Sequence, residues 1–151
     1  MIVYRIVNPK YAEDLSGYGA MLNGARWNKR GHAMLYCAES SSLAILEFLV
    51  HIRGVKGNMS YKLLTLSLEL DTTASLSNLS ENWKDDIKHT QDVGTRWLQS
   101  NENWALRVPS VHNPLENNIL LNPKHPDFSP KIMRSDWYWF DGRLIQKAKT
   151  D

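Results

Sequence analysis

The chain has a single cysteine, Cys37, in 151 residues, so an intramolecular disulfide is excluded and the thiol fits a reducing cytoplasm. No apolar run approaches the ~20 residues that a membrane-spanning helix needs. At the N-terminus MIVYRIVNPK has neither a basic region nor a small-residue cleavage site, so no secretory signal is expected. Charge of one sign is scarce too. The 18 Lys and Arg against 16 Asp and Glu leave +2, scattered along the chain, whereas direct nucleic-acid binding rests on clustered cations. Repeats, low-complexity tracts and linkers are missing. These absences predict one soluble, cytoplasmic domain over 1–151, with no membrane or nucleic-acid partner. A chain of this length buries roughly 70% of its unfolded surface, and 42% hydrophobic residues with 23% charged supply the material for such a core.

What is present is alternation. In YKLLTLSLEL, residues 61–70, Leu64, Leu66, Leu68 and Leu70 alternate with Thr65, Ser67 and Glu69, the period of a strand with one buried face, and a central strand is expected. Residues 2–7 and AMLYCA, 33–38, read as further strands, separated by a stretch that is irregular after Asn8-Pro9 and glycine-rich up to Gly31. LAILEFLVHI, 43–52, is apolar at eight of ten positions and predicts a helix built for burial, capped by Ser40, Ser41 or Ser42 and stopped at Gly54. Residues 72–103 are polar, with a short helix over 92–100 turning Trp97 and Leu98 inward. WALRVPS and NNILLN read as strands joined through Pro114, and DWYWFDGRLI as a final aromatic strand or a hairpin about Asp141-Gly142. The mixture predicts an α+β fold, a single compact domain with a strand-rich core.

Glu47 and His51 are the polar exceptions in the apolar helix, and residues four apart share a helix face. An ionised carboxylate among Leu43, Leu46, Phe48 and Val50 costs several kcal/mol unless it finds a cation, donors or a proton. Two readings stay open: a rim residue that meets water or an arginine, and a catalytic carboxylate at the edge of a pocket. A metal shared by Glu47 and His51 is not expected, because His32, His89, His112 and His125 form no spaced pair and Cys37 stands alone. The segment SGYGAMLNGARWNKRGH, 16–32, is no phosphate-cradling loop, since no GK[ST] ends it, and no dinucleotide fingerprint, since a strand follows. Within it Arg26 is either a surface arginine stacked on Trp27 or a guanidinium for a bidentate pyrophosphate contact. Ser110, following Pro109 at a strand end, is either a turn residue or a rigidly held ligand contact.

Tyr4-Arg5, GARWN (24–28), LYCAES (35–40), LAILEFL (43–49), ALRVPS (105–110) and LENNILLNPKHPDF (115–128) follow one another in an order that resembles the RES domain. That domain is the toxin half of many bacterial toxin–antitoxin pairs and is named for an arginine, a glutamate and a serine. The resemblance implies a fold related to ADP-ribosyltransferases, NAD⁺ as substrate with no resident cofactor, and cleavage of the nicotinamide–ribose bond. It assigns the arginine to Arg26, the glutamate to Glu47 and the serine to Ser110, with Arg5 and Tyr36 as further pocket residues. On this assignment Arg26 and Arg5 bind the pyrophosphate, Tyr36 packs on the nicotinamide or its ribose, and Ser110 bonds the ribose or orients Glu47. Glu47 then stabilises positive charge growing on the ribose, an effect far stronger in a low-dielectric pocket than in water.

The resemblance also implies a partner, an Xre-type helix-turn-helix antitoxin over the pocket, because an enzyme that depletes NAD⁺ needs neutralising. Its acceptor stays open among water, phosphate and a protein side chain, that is, a glycohydrolase, a phosphorylase or an ADP-ribosyltransferase. An RNA-cleaving toxin using His51 and His112, and a non-catalytic binding module, are the competing classes. Ala25, where the family's loop often has glycine, and His112-Asn113, in place of a more apolar pair, depart from the pattern. Six tryptophans leave room for a homodimer through an aromatic surface.

Overall fold

Alternating leucines bury one face of a strand only where that face meets a second apolar layer, and the computed structural model supplies it. The structure describes residues 1–52, 59–70, 73–76 and 78–146. Its strands are β1 (Ile2–Val7), β2 (Leu35–Ala38), β3 (Ser60–Ser67), β4 (Ala74–Ser75), β5 (Ala105–Pro109), β6 (Asn117–Leu121) and β7 (Lys131–Trp139). They form one sheet in the order β4-β5-β6-β2-β1-β3-β7, antiparallel throughout except for β4 beside β5. On one face Leu64 and Leu66 pack with Val3, Leu35, Ile119 and Leu121; each fully buried leucine contributes roughly 1.5–3 kcal/mol.

Two helices cover the opposite face. Helix α2 (Ser41–His51) lays Leu43 and Ala44 on Ile6 and Ala38, and α3 (Ile87–Ser100) brings Leu98 to the layer of Leu106, Val108 and Leu120. Two short helices, α1 (Tyr18–Asn23) and α4 (Gly142–Gln146), and a 3-10 turn at Pro9–Tyr11 complete the described elements. β1 pairs with β3 along its whole length but with β2 only at Tyr4 and Ala38. This narrow seam in the sheet lies beneath α2.

The α+β, strand-rich expectation is met, with several corrections in detail. β3 is an interior strand as expected, paired with β1 on one side and with the edge strand β7 on the other, while β2 stands at the middle of the seven. Ser40 is the cap of α2, its Oγ accepting from the Leu43 N–H at 3.0 Å, and the expected stop at Gly54 lies outside the described residues. Burial of α2 is one-sided: Leu46 and Val50 are 36% and 50% exposed, since the sheet covers only the face bearing Leu43 and Ala44. Helix α3 starts at Ile87, earlier than expected, because Asp86 Oδ1 accepts from the His89 N–H at 2.9 Å and opens the helix there. Of the two endings expected, the aromatic strand is the one formed, as β7, and among the described residues no hairpin turns at Asp141-Gly142. Asp141 Oδ1 instead accepts from the Arg143 N–H at 2.9 Å and starts α4. No described helix is long and apolar enough to cross a membrane.

Candidate active site

With Leu43 and Ala44 turned down onto the sheet, α2 carries Glu47 toward the end of β5 and the start of β6. There Glu47 Oε1 accepts two hydrogen bonds of 2.7 Å, one from Ser110 Oγ and one from Asn118 Nδ2. Ser110 is buried, and its Oγ accepts in turn from the backbone N–H groups of His112 and Asn113, each at 3.1 Å. Two amides donating into the hydroxyl leave its single proton for Glu47. Oε2 accepts no hydrogen bond among the described residues and lies 3.6 Å from His112 Nε2. The carboxylate is therefore fixed by one oxygen while the other stays available. Neutral donors, not an arginine, offset its desolvation.

The glycine-rich loop is fixed by a second network. Trp27 is buried against Trp83, ring centroids 5.8 Å apart, so it offers no open face on which a surface Arg26 could stack. Arg26 donates from Nη1 to the Lys84 carbonyl at 2.9 Å. The Tyr36 hydroxyl accepts from the Trp27 N–H at 3.0 Å and donates to Asn28 Oδ1 at 2.7 Å. Burial pushes the Tyr36 phenol well above its ordinary pKa, which keeps it a neutral hydroxyl. Asn28 is fully buried and donates to the carbonyls of Ala20 at 2.8 Å and His32 at 2.9 Å. Helix α3 backs this loop: Gln91 Nε2 donates to the Ala25 carbonyl at 2.8 Å, and Thr95 Oγ1 accepts from the Lys29 N–H at 3.1 Å. Gly94 makes the approach feasible, because a Cβ there would stand 1.9 Å from the Trp27 carbonyl oxygen.

Between α2 and this loop, over the seam of β1 and β2, lies a cavity of about 630 Å³, within the range of small-molecule sites. Arg5, Arg26, Tyr36 and Glu47 line it; Ser110, the fifth residue singled out in the sequence, stands behind Glu47 and off the wall. Arg5 donates from Nη1 to the Asp14 carbonyl at 3.5 Å, and burial lowers its pKa from the ordinary arginine value. Neither Arg5 nor Arg26 forms a salt bridge among the described residues, although the Asp14 carboxylate lies near enough to Arg5 for each to favour the other's charged form. Cys37 also borders the cavity, but burial pushes its thiol up to about 12 and keeps it unreactive.

Two participants escaped the sequence reading, and a third, His112, entered it only in a competing role and as a departure from the family pattern. Asn118 and Asn28 appear there only as letters in longer matches, although an asparagine inside NNILLN, where strands disfavour it, is a signal of a specific hydrogen-bonding task. His112 has no spaced histidine partner in sequence, yet the turn after β5 returns it to Glu47 and His51, and one ligand atom from each of the three lies within 4.8 Å of the others. Sequence spacing, which pairs none of the histidines, does not show this meeting.

The RES domain model matches residues 2–141. Toxin Res of Yersinia enterocolitica (serotype O:8 / biotype 1B) is 43% identical over 134 residues, 85% of this chain and 88% of its own length. The Prs ADP-ribosylating toxin of Sphingobium sp. (strain YBL2) is 37% identical over 145 residues, 91% of this chain and 90% of its own. A chain of the M. tuberculosis MbcT–MbcA toxin–antitoxin complex superposes with a TM-score of 0.75 at 18% identity, over 99% of this chain and 89% of that one, which establishes likeness of fold. A match that spans nearly the whole chain, together with relatives of this identity and coverage, leads to one assignment: the chain belongs to the RES domain family.

Proposed function

We propose that this protein is the toxin of a bacterial toxin–antitoxin pair and cleaves the nicotinamide–ribose bond of NAD⁺. The observation that carries the reading is the half-satisfied carboxylate. Glu47 is anchored through Oε1 by Ser110 and Asn118 and presents Oε2 to a cavity that Arg5 and Arg26 also line, neither of them in a salt bridge among the described residues. A dinucleotide offers the matching charges, a pyrophosphate for Arg5 and Arg26 and a positively charged pyridinium ribose for Glu47.

In the reaction the C1′–N1 bond of the ribose breaks, nicotinamide leaves as a neutral base with the bonding electron pair, and positive charge spreads over C1′ and the ring oxygen. Glu47 stabilises that charge without becoming bonded to it, an interaction stronger in the transition state than in bound NAD⁺. Ser110 acts as a positioning residue, since its proton reaches Glu47 and its oxygen is occupied by two backbone amides. Tyr36 holds the loop that carries Arg26 and supplies wall to the nicotinamide half. Attack of water on C1′ gives ADP-ribose and a proton; phosphate in its place gives the phosphorylated sugar.

Transfer to a protein side chain is the second reading, favoured by the name of the 37% identical Sphingobium relative. The expected partner is an Xre-type antitoxin that covers the cavity, and the expected compartment is the cytoplasm; the toxin–antitoxin complex among the solved structures supports an antitoxin. The exposed, stacked Trp137 and Trp139 of β7 are the surface on which a homodimer would form. Incubating the purified protein with NAD⁺, with and without phosphate and with cell lysate, and weighing products by mass spectrometry separates the acceptors. Intact NAD⁺ in every arm refutes the reading.

A further inference from the structure

The mouth of the cavity carries three side chains that the proposed reaction does not use together. Glu47 and His51 stand one turn apart on α2, and His112 comes from the turn after β5; one donor atom from each falls within 4.8 Å of the others. We propose that these three residues form a binding site for a borderline transition-metal ion, with Zn²⁺ as the representative, and that the ion bound there shuts off NAD⁺ cleavage.

The donor chemistry selects the ion. Two imidazoles and one carboxylate oxygen are the set that Zn²⁺, Cu²⁺ and Ni²⁺ accept, whereas Mg²⁺ and Ca²⁺ require oxygen ligands. The geometry supplies what such a site needs. Glu47 Oε1 is already saturated by Ser110 and Asn118, so the oxygen nearer His112, Oε2, is the one left for a metal. A ligating carboxylate whose second oxygen is hydrogen-bonded from behind is held in orientation, the arrangement seen around well-formed metal centres.

Ligand atoms around a tetrahedral Zn²⁺ lie about 3.3–3.5 Å apart, so the donors must close in by roughly an ångström. Both histidines are exposed, and their rings can turn to close it without moving backbone. All three residues line the cavity, which leaves the fourth coordination position open toward it.

The inhibitory consequence rests on the reading of Glu47 given above; the binding does not. A dication on Oε2 reverses the sign of the field at the place where the departing nicotinamide leaves positive charge behind. It also repels the pyridinium ring of the substrate.

Isothermal titration of metal-stripped protein with Zn²⁺ at neutral pH tests the site, with Mg²⁺ as the oxygen-preferring control and NAD⁺ turnover measured along the same titration. One equivalent of Zn²⁺ is expected to bind, His51→Ala and His112→Ala each weakening it by about tenfold or more. His89→Ala, on α3 and outside the cavity lining, serves as the control that leaves it unchanged. Each variant's inhibition is scored against its own metal-free rate, and circular dichroism confirms that each is folded. Zn²⁺ affinity unaltered in both cavity-histidine variants overturns the site. Stoichiometric binding lost in those variants but with wild-type turnover undiminished by Zn²⁺ keeps the site and overturns the inhibitory half, together with the role given to Glu47. Intact NAD⁺ in the metal-free protein overturns the function while the binding result still decides the site.

Discussion

Glu39, just before α2, and Glu47, within it, have almost the same side-chain exposure, 28% and 22%, yet they are satisfied in opposite ways. Each takes an asparagine from β6, and because successive strand residues point to opposite sides the two asparagines are neighbours, Asn117 and Asn118. Glu39 is satisfied on both oxygens. Oε1 accepts from the Asn117 backbone N–H at 2.7 Å and its Nδ2 at 3.2 Å, Oε2 accepts from Nδ2 at 3.3 Å, and Arg107 Nε stands 4.0 Å away. The Glu39 backbone N–H also donates to the Asn117 carbonyl, so the side chain extends the ladder between β2 and β6. Glu47 is satisfied on one oxygen and faces a cavity with the other. Burial does not separate the structural carboxylate from the one proposed to act on substrate; unused hydrogen-bonding capacity does.

The sharpest way to break this comparison is Glu47→Gln. Turnover of NAD⁺ is expected to fall about a hundredfold to a thousandfold, the scale of losing one preorganised electrostatic contact, while the melting temperature hardly moves. Equal loss in Glu39→Gln would erase the distinction. Ser110→Ala and Asn118→Ala come next. Freed from its anchors, Glu47 samples misplaced positions, and kcat drops about tenfold to a hundredfold with KM little changed; partial recovery in Ser110→Thr marks positioning.

Smaller still is Glu39→Gln itself. It disrupts a neutral–charged hydrogen-bond set worth about 1 kcal/mol, lowering Tm by about 2–4 °C, read by calorimetry, with turnover near wild type. The least effect falls on Cys37, whose thiol serves as an internal gauge of folding. Because burial raises its pKa to about 12, the neutral thiol persists at every pH below that value, and iodoacetamide at about pH 8 should label the native protein very slowly. Glu47→Gln should label as slowly as wild type, and Glu39→Gln faster only as it approaches unfolding. Rapid labelling of Glu47→Gln would show that its lost turnover came from a lost fold.

Much of this was legible in the letters. The alternation of Leu64, Leu66 and Leu68 predicts β3 because period two needs only local geometry, and the Ser40 cap with LAILEFL predicts α2 for the same reason. Residues 72–103 are less legible: β4 is two residues long and owes its existence to β5, and the Asp86 cap opens α3 at Ile87 and not at residue 92. The aromatic run of β7 gave away its end, while its beginning at Lys131 carries no alternation, since most of this edge strand is exposed.

Local pattern in the letters accounts for β1, β2, β3, β5, β6 and α2, for the apolar bed of Glu47 and for a cysteine with no disulfide partner, and the resemblance of six segments in the family's order points to Arg5, Arg26, Tyr36, Glu47 and Ser110. Only the tertiary structure decided that Glu47 leans on Ser110 and Asn118, 63 and 71 residues away, that Asn28 and Tyr36 fix the arginine loop, and that His112 joins His51. The physical reason is that periodicity tells which face of an element is buried, whereas a hydrogen bond between distant side chains depends on which strands pair, in what register, and at what angle a helix crosses them.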